Sequence, residues 1–356
     1  MKALIAAGGH ATRLRPITYT LNKHLIPLAN RPMIEYAIEK IVDCGIREIA
    51  INVNPGEVEI QRVVGNGDRW GVEITYLEQQ GGPKGIAHTV ANAASWINGE
   101  SFVFYLGDNI ILAPIKSLVE RFERDHLDCL LALSHVDDPQ RFGVPEIKDG
   151  RIVRVLEKPE HPPSDFAVTG IYFYGPKMLE AVTKIQPSAR GEYEISDAHT
   201  WMIEQGCAVG YEEITGWWKD TGKPNDLIIG NNFILDLIAE PSIAPSAQIA
   251  QDVRIEGVVT VGERVTIDEG SVLQGPVCIA DGCHISGSQI GPHVSIGANA
   301  VIRRATVSET ILMDDVVIEG GPKITKSIFG RSARAVASEQ RGSCTFIIGD
   351  RAQIEW

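Results

Sequence analysis

The 356-residue chain has no run of about 18 apolar residues, no long basic stretch and no Cys-x-x-Cys pair. The first absence excludes a transmembrane helix on sequence grounds, and the apolar part of "MKALIAAGG" is too short for a secretory signal, so a cytoplasmic protein is expected. The second, together with a formal net charge of −13, argues against nucleic acid or an anionic membrane as a partner, yet permits a local cationic pocket. The six cysteines, at 44, 129, 207, 278, 283 and 344, form no framework with nearby histidines. They read as reduced thiols and not as a zinc site. The chain also lacks a nucleophile elbow, and its glycines do not follow the spacing of a nucleoside-triphosphatase loop or a dinucleotide fold.

What is present divides by hydrophobic period, and the length itself suggests two domains. Up to about residue 235, strand-length apolar runs alternate with helix-length segments: "KALIAA", "MIEYAIEKIVDCG", "EIAINV", "IQRVVGNG", "VEITYL", "AHTVANAASWI" and "SFVFYLGDN". That alternation predicts a mostly parallel sheet flanked by helices, with ligand loops at the carboxyl ends of the strands. "VTGIYFYG" and "GCAVGYEEI" read as further strands and "KPNDLIIGNNFILDLI" as a closing helix. Beyond "AEPSIAPSAQ", Ile243, Ile249, Ile255, Val261, Ile267, Leu273, Ile279 and Ile285 fall on every sixth position. The phase slips before Ile290, Ile296 and Ile302, and again before Leu312, Ile318 and Ile324. An apolar residue every sixth position with glycines at the corners predicts a parallel β-helix with three short strands per coil. The expected domains are therefore 1–238 and 239–356.

"GGHATRLRP", residues 8–16, follows the first expected strand. Glycines there let backbone N–H groups approach anionic oxygens, and Thr12 adds a hydroxyl donor. Arg13 supplies a planar charged fork and Lys23 a mobile point charge, both suited to phosphate. A plain glycine turn with exposed basic residues is the competing reading. Asp108 in "LGDN" and Asp220 in "WWKDTG" each follow a strand-like run, where a carboxylate can hold a hard cation such as Mg²⁺ or simply serve a turn. Together with a phosphate loop they suggest a metal-bridged nucleotide. Trp217 and Trp218 are adjacent, so one of the two is expected to face a pocket, while Tyr172 and Tyr174 share a face. His88 and His199 read as helix residues without a chemical role.

The ordered motifs "GGHATRLRPIT", "NKHLIPLANRPMIEYAI", "QGGPKGIAHTV", "YLGDN", "RFGVPEI", "VLEKP", "VTGIYFY", "RGEYEISDA" and "WWKDTG" run from residue 8 to residue 222, and with the hexads that follow them the match covers essentially the whole chain. In order and spacing they resemble the sugar-nucleotide pyrophosphorylases, most closely the long-form glucose-1-phosphate thymidylyltransferases. The resemblance implies a Rossmann-like α/β nucleotidyltransferase domain with a mixed, mostly parallel sheet, followed by a left-handed β-helix of hexapeptide repeats. It implies Mg²⁺-dependent joining of dTTP and glucose 1-phosphate into dTDP-glucose and pyrophosphate, and homo-oligomers, such as trimers, through the β-helix. Residue by residue, it assigns Gly8, Gly9, Thr12, Arg13 and Lys23 to the triphosphate, and Gln80 and Gly85 to the base. Gly143, Glu157, Val168, Thr169, Tyr172 and Trp218 would line the sugar, Lys158 and Arg190 would bind its 1-phosphate, and Asp108 and Asp220 would hold Mg²⁺.

Two features depart from the pattern. Ala11 stands where the family loop usually has glycine, which costs about 1 kcal/mol if that position needs positive φ. Gln79 competes with Gln80 for the base, and Gln80 is preferred for its spacing to Gly85. The alternatives are a UTP-dependent sugar-1-phosphate uridylyltransferase acting on glucose or N-acetylglucosamine 1-phosphate, with acetyltransfer in the β-helix through His293 as general base, and a regulatory homologue without activity. Retention of Arg13, Lys23, Asp108, Lys158 and Asp220 argues against the last.

Overall fold

The structure, a computed structural model, describes residues 1–214, 216–337 and 342–356. By contacts the chain forms two units: Met1–Gly9 with Ile34–Asp220, and His10–Met33 with Thr221–Trp356. This division does not follow a single cut near residue 238, because the segment 10–33 and the helix Pro224–Asp236 group with the repeats.

The first unit is built on seven strands: β1 (Lys2–Ala6), β2 (Glu48–Val53), β3 (Glu73–Glu78), β4 (Phe102–Leu106), β5 (Cys129–His135), β6 (Phe166–Tyr174) and β7 (Val209–Glu213). Their order is β7-β5-β6-β4-β1-β2-β3. All neighbours are parallel except β6, which is antiparallel to β4 and β5. The apolar runs of β1 and β4 are buried along nearly their whole length, as strands covered on both faces must be. The expected mostly parallel α/β sheet is present, with β6 making it mixed. The carboxyl ends of β1, β2, β3 and β4 and the start of β6 share one edge, where ligand loops of such sheets gather.

In the second unit the hexads form three parallel sheets, of seven, seven and six strands. Ile243, Val261, Ile279, Ile296, Leu312, Phe329 and Ile348 stack in one. Ile249, Ile267, Ile285, Ile302 and Ile318 stack in the second, and Ile255, Leu273, Ile290, Val307 and Ile324 in the third. The phase slips are coils of one or two residues fewer, which leave each inward residue on its own sheet. Successive coils bury these residues against one another, with Ile267, Leu273 and Ile285 at or near zero exposure. The arrangement is that of the expected left-handed β-helix. Among the described residues no helix is long and apolar enough to cross a membrane, and all six cysteines are free thiols.

Candidate active site

Gly8, Gly9 and the predicted residues between 80 and 220 belong to the first unit, whereas Thr12, Arg13 and Lys23 belong to the second. In the first unit, the ends of β1, β2 and β3 are tied by amides. The Asn54 side chain accepts from the Gly9 N–H (2.8 Å) and donates to the Gly9 carbonyl (3.0 Å), which fixes the glycine pair. Asn92 donates to the Asn52 side chain (3.0 Å) and to the Glu78 carbonyl (3.0 Å), and accepts from the Gln80 N–H (3.1 Å). Gln80 is thereby held by its backbone with its side chain exposed, while Gln79 is buried beside Asn52 and His88. Of the two glutamines, Gln80 is the one that presents its side chain to solvent. Gly85 lies against the backbone of Tyr193, whose N–H donates to Lys84 (2.8 Å).

A second cluster forms around the end of β4. The short strands Asn109–Ile111 and Trp218–Asp220 pair antiparallel, with Asp220 opposite Asn109 and so next to Asp108. Two aspartates separated by more than 100 residues in sequence thereby occupy neighbouring backbone positions. Asn109, buried and unforeseen from the sequence, accepts from the Trp218 indole N–H (2.7 Å) and donates to Asp108 (2.9 Å). A Cβ on Gly170 would overlap the Asn109 amide, so only glycine lets β6 pass there. We expect Gly170→Ala to cost about 1–3 kcal/mol of stability and to reduce turnover beyond that loss, because the displaced amide orients both Trp218 and Asp108. A lower Tm with unchanged turnover would restrict Asn109 to packing.

Glu157 ends a hairpin strand opposite Gly143. Its carboxylate accepts from Ser196 Oγ (2.7 Å) and contacts Arg190 (3.3 Å) and Lys158 Nζ (3.4 Å). A Cβ at Gly143 would lie 2.9 Å from Ser196 Oγ, so this close approach explains the glycine. Lys158 has φ 45, an uncommon conformation for a residue with a side chain, and its N–H is held by the Phe142 carbonyl (2.9 Å). Arg190 reaches Glu194 (2.8 Å) and Glu157 through one nitrogen, Nη2, of a five-donor fork. Glu194 and Ser196 both lie in "RGEYEISDA", where only Arg190 was singled out; no spacing in that motif separates them from ordinary helix-start residues.

Tyr172 marks the convergence of these groups. Burial raises its hydroxyl pKa well above the ordinary value, and the carboxylates of Glu157, Asp108 and Asp220 push it further in the same direction. Its ring stacks on Phe104 and on Tyr174, and Tyr174 is the fully buried member of the pair, bonded to His199 (2.6 Å). Val168 is nearly buried, and Thr169 donates its hydroxyl to the Ala132 carbonyl (2.9 Å) where the β5–β6 register shifts. That hydroxyl bridges the two strands at the shift and is engaged within the protein. Trp217 precedes the strand Trp218–Asp220, so strand alternation does not govern it; both tryptophans border one cavity of about 220 Å³.

In the second unit, Ala11 is left-handed (φ 44), so the departure from glycine falls on a position that needs positive φ. Thr12 and Arg13 are exposed in the turn that follows, whereas Lys23 is buried at the start of the turn Lys23–Leu25, and Asn22 accepts from the His24 N–H (3.0 Å). His88 and His199 lie on helices as expected. His293 bonds Asp236 (2.8 Å), the last residue of the helix Pro224–Asp236. Among the described residues no group of three or more His, Cys, Asp or Glu side chains is placed to hold a metal. Asp108 and Asp220 offer two hard oxygen donors, which suits Mg²⁺, an ion commonly held by one or two carboxylates with phosphate oxygens and water completing its shell.

The nucleotidyl transferase family profile matches residues 2–236. Over its full length the chain is 38% identical to a glucose-1-phosphate thymidylyltransferase of Streptomyces antibioticus, covering 99% of that protein. It is 36% identical to a UTP–glucose-1-phosphate uridylyltransferase of Haloferax volcanii over 64% of this chain and 93% of the relative. A solved structure assigned as a glucose-1-phosphate thymidylyltransferase from Bacillus anthracis, in complex with sucrose, superposes with a TM-score of 0.62 at 38% identity, covering 65% of this chain and 94% of that one. With the paired aspartates and the Glu157 cluster at the loop edge of a mixed sheet, these likenesses lead to one conclusion: the chain belongs to the nucleotidyl transferase family.

Proposed function

We propose that the protein joins dTTP and glucose 1-phosphate to give dTDP-glucose and pyrophosphate. The observation that carries this reading is the strand pairing that sets Asp220 opposite Asn109 beside Asp108, with Lys158 and Arg190 against Glu157. A sugar 1-phosphate is already an ionised nucleophile, so no Ser-His-Asp apparatus is needed. One of its oxygens bonds to the α-phosphorus of the triphosphate, the α–β bridging bond breaks, and pyrophosphate leaves with that electron pair.

Two anions must meet in line, so charge is the obstacle and cations are the remedy. Lys158 and Arg190 would bind the sugar phosphate, and Arg13 and Lys23 the β- and γ-phosphates. Gly8, Gly9 and Thr12 would supply donors to the triphosphate. Gln80 and Gly85 would read the pyrimidine edge, and Gly143, Glu157, Val168, Thr169, Tyr172 and Trp218 would surround the hexose. Asp108 and Asp220 would hold Mg²⁺, which supplies Lewis-acid stabilisation of phosphate charge when bound. Residues 1–238 would form the catalytic module, and the β-helix would assemble a cytoplasmic homo-oligomer.

UTP-dependent transfer is the second reading, and the uridylyltransferase relative favours it. The two bases differ by one methyl group, which a pocket discriminates by about 1–3 kcal/mol. Either reading is tested by phosphorus label at the α or the γ position of the triphosphate. The α label is expected in the sugar nucleotide and the γ label in pyrophosphate; γ label in a phosphorylated sugar would refute attack at the α-phosphorus.

A further inference from the structure

Lys23, the proposed triphosphate ligand, sits seven residues before a hairpin tip that the β-helix holds. The hairpin pairs Pro27–Leu28 with Arg31–Pro32, and its two turn residues, Ala29 and Asn30, are both left-handed (φ 45 and 62). This is the backbone of a tight two-residue hairpin turn, in which asparagine is favoured and alanine is not. Something must hold the strained alanine in place. Its N–H donates to Asn231 Oδ1 (2.8 Å), an asparagine fully buried in the helix Pro224–Asp236. The Asn30 amide then reaches into two neighbouring coils, donating to the carbonyls of Ile296 (2.8 Å) and Cys278 (3.2 Å). A cavity of about 360 Å³ flanks the tip between Leu25, Pro27 and Pro32 on one side and Asp314 and Arg331 on the other. Close packing is therefore incomplete on that side, where the Asn30 amide ties the tip to the coils. Farther back, Thr20 donates to Asp350 (2.8 Å) near the last coil.

We infer that Asn30 and Asn231 are positioning residues for the nucleotidyl transfer: they fasten the segment that carries Thr12, Arg13 and Lys23 to the repeat domain, and so set how well Lys23 serves the triphosphate. The repeat domain thereby takes part in nucleotide binding as well as in assembly. The inference rests on the reading of Lys23 as a triphosphate ligand. Asn30 touches no reacting group, so its effect passes through the backbone between residues 23 and 30.

The test uses the full-length protein with Asn30→Gly, Asn30→Ala, Asn231→Leu and Lys23→Ala variants. Glycine keeps the left-handed turn and removes only the amide. We expect Asn30→Gly to raise KM for the nucleoside triphosphate by about tenfold, equivalent to about 1.4 kcal/mol, with KM for the sugar 1-phosphate unchanged. Amide hydrogen exchange should accelerate within residues 12–33 and not in the first-unit sheet. Unchanged triphosphate KM and unchanged exchange in Asn30→Gly overturn the inference, as does a lower Tm with wild-type kinetic constants. Should Asn30→Ala or Asn231→Leu fail to fold, Asn30→Gly and its exchange pattern still decide. Lys23→Ala separates the two layers: if it leaves kinetics intact, the Lys23 reading fails and takes the inference with it. If it impairs turnover while Asn30→Gly does not, the inference alone fails.

Discussion

Replacing Asp108 or Asp220 with asparagine is expected to lower turnover by roughly 100- to 1,000-fold, the range for losing one preorganised group that stabilises transition-state charge. The fold should survive. Asp108 accepts a hydrogen bond from Asn109 Nδ2 at 2.9 Å, and an asparagine oxygen can accept the same bond. Asp220 lies opposite Asn109 in an antiparallel pair, a backbone register that does not depend on its charge. What each substitution removes is one negative charge and one hard anionic donor, the property that a Mg²⁺ ligand needs. The Mg²⁺ concentration for half-maximal rate should rise in parallel. The measurement is a Mg²⁺ titration of pyrophosphate release with Tm recorded for each variant; full activity in either would remove that residue from the metal site.

The second large effect is on acid stability and comes from His199. Its ring is fully buried among Tyr172 and Tyr174, and burial lowers its pKa from 6.5 to about 3. Burial holds the Tyr174 hydroxyl well above its ordinary pKa, so it remains a phenol and donates to Nε2 at 2.6 Å. The other ring nitrogen, Nδ1, has no partner, which adds to the cost of the site. Above pH 6.5 the ring is neutral in both folded and unfolded chains and contributes no pH dependence. As pH falls below 6.5 the unfolded chain takes up a proton that the folded protein refuses until about pH 3, so stability falls across that window. By pH 5 the loss amounts to about 2 kcal/mol, at about 1.4 kcal/mol per pH unit. His199→Gln keeps an acceptor for Tyr174 and removes the titration. Denaturant unfolding at pH 7 and pH 5 should show a smaller drop in the variant by about that amount; equal drops would mean that the imidazole protonates in place.

The β-helix was legible because its period is short and one-sided. Each inward residue must be apolar, and every sixth position repeats the demand through Ile267, Leu273, Ile279 and Ile285. Val307 and Phe329 complete the stacks where two shortened coils broke the count. That Asp108 and Asp220 each follow a strand-like run was legible, whereas the antiparallel register of 109–111 with 218–220, which sets Asp220 opposite Asn109, was not. Asn109, Ser196 and Glu194 were not, since a buried asparagine or a helix-start serine has no spacing of its own. Their importance comes from long-range contacts, with Trp218 and with Glu157. The allegiance of residues 10–33 was hidden for the same reason. The sequence places them between the first strand and the helix Met33–Asp43, and nothing local says that Asn30 reaches the carbonyls of Cys278 and Ile296. At Ala11 the departure from glycine was visible in the motif, but the left-handed backbone beneath it is set by the turn that follows and has no residue signature of its own.

Nucleotide and sugar choice are read from pyrophosphate release in Mg²⁺ across dTTP, UTP, CTP, ATP and GTP, each paired with glucose, N-acetylglucosamine, glucosamine and mannose 1-phosphates. The highest kcat/KM is expected for dTTP with glucose 1-phosphate. Silence in every pairing, or a purine triphosphate preferred over both dTTP and UTP, would rule out pyrimidine nucleotidyl transfer to glucose 1-phosphate as the activity of this protein.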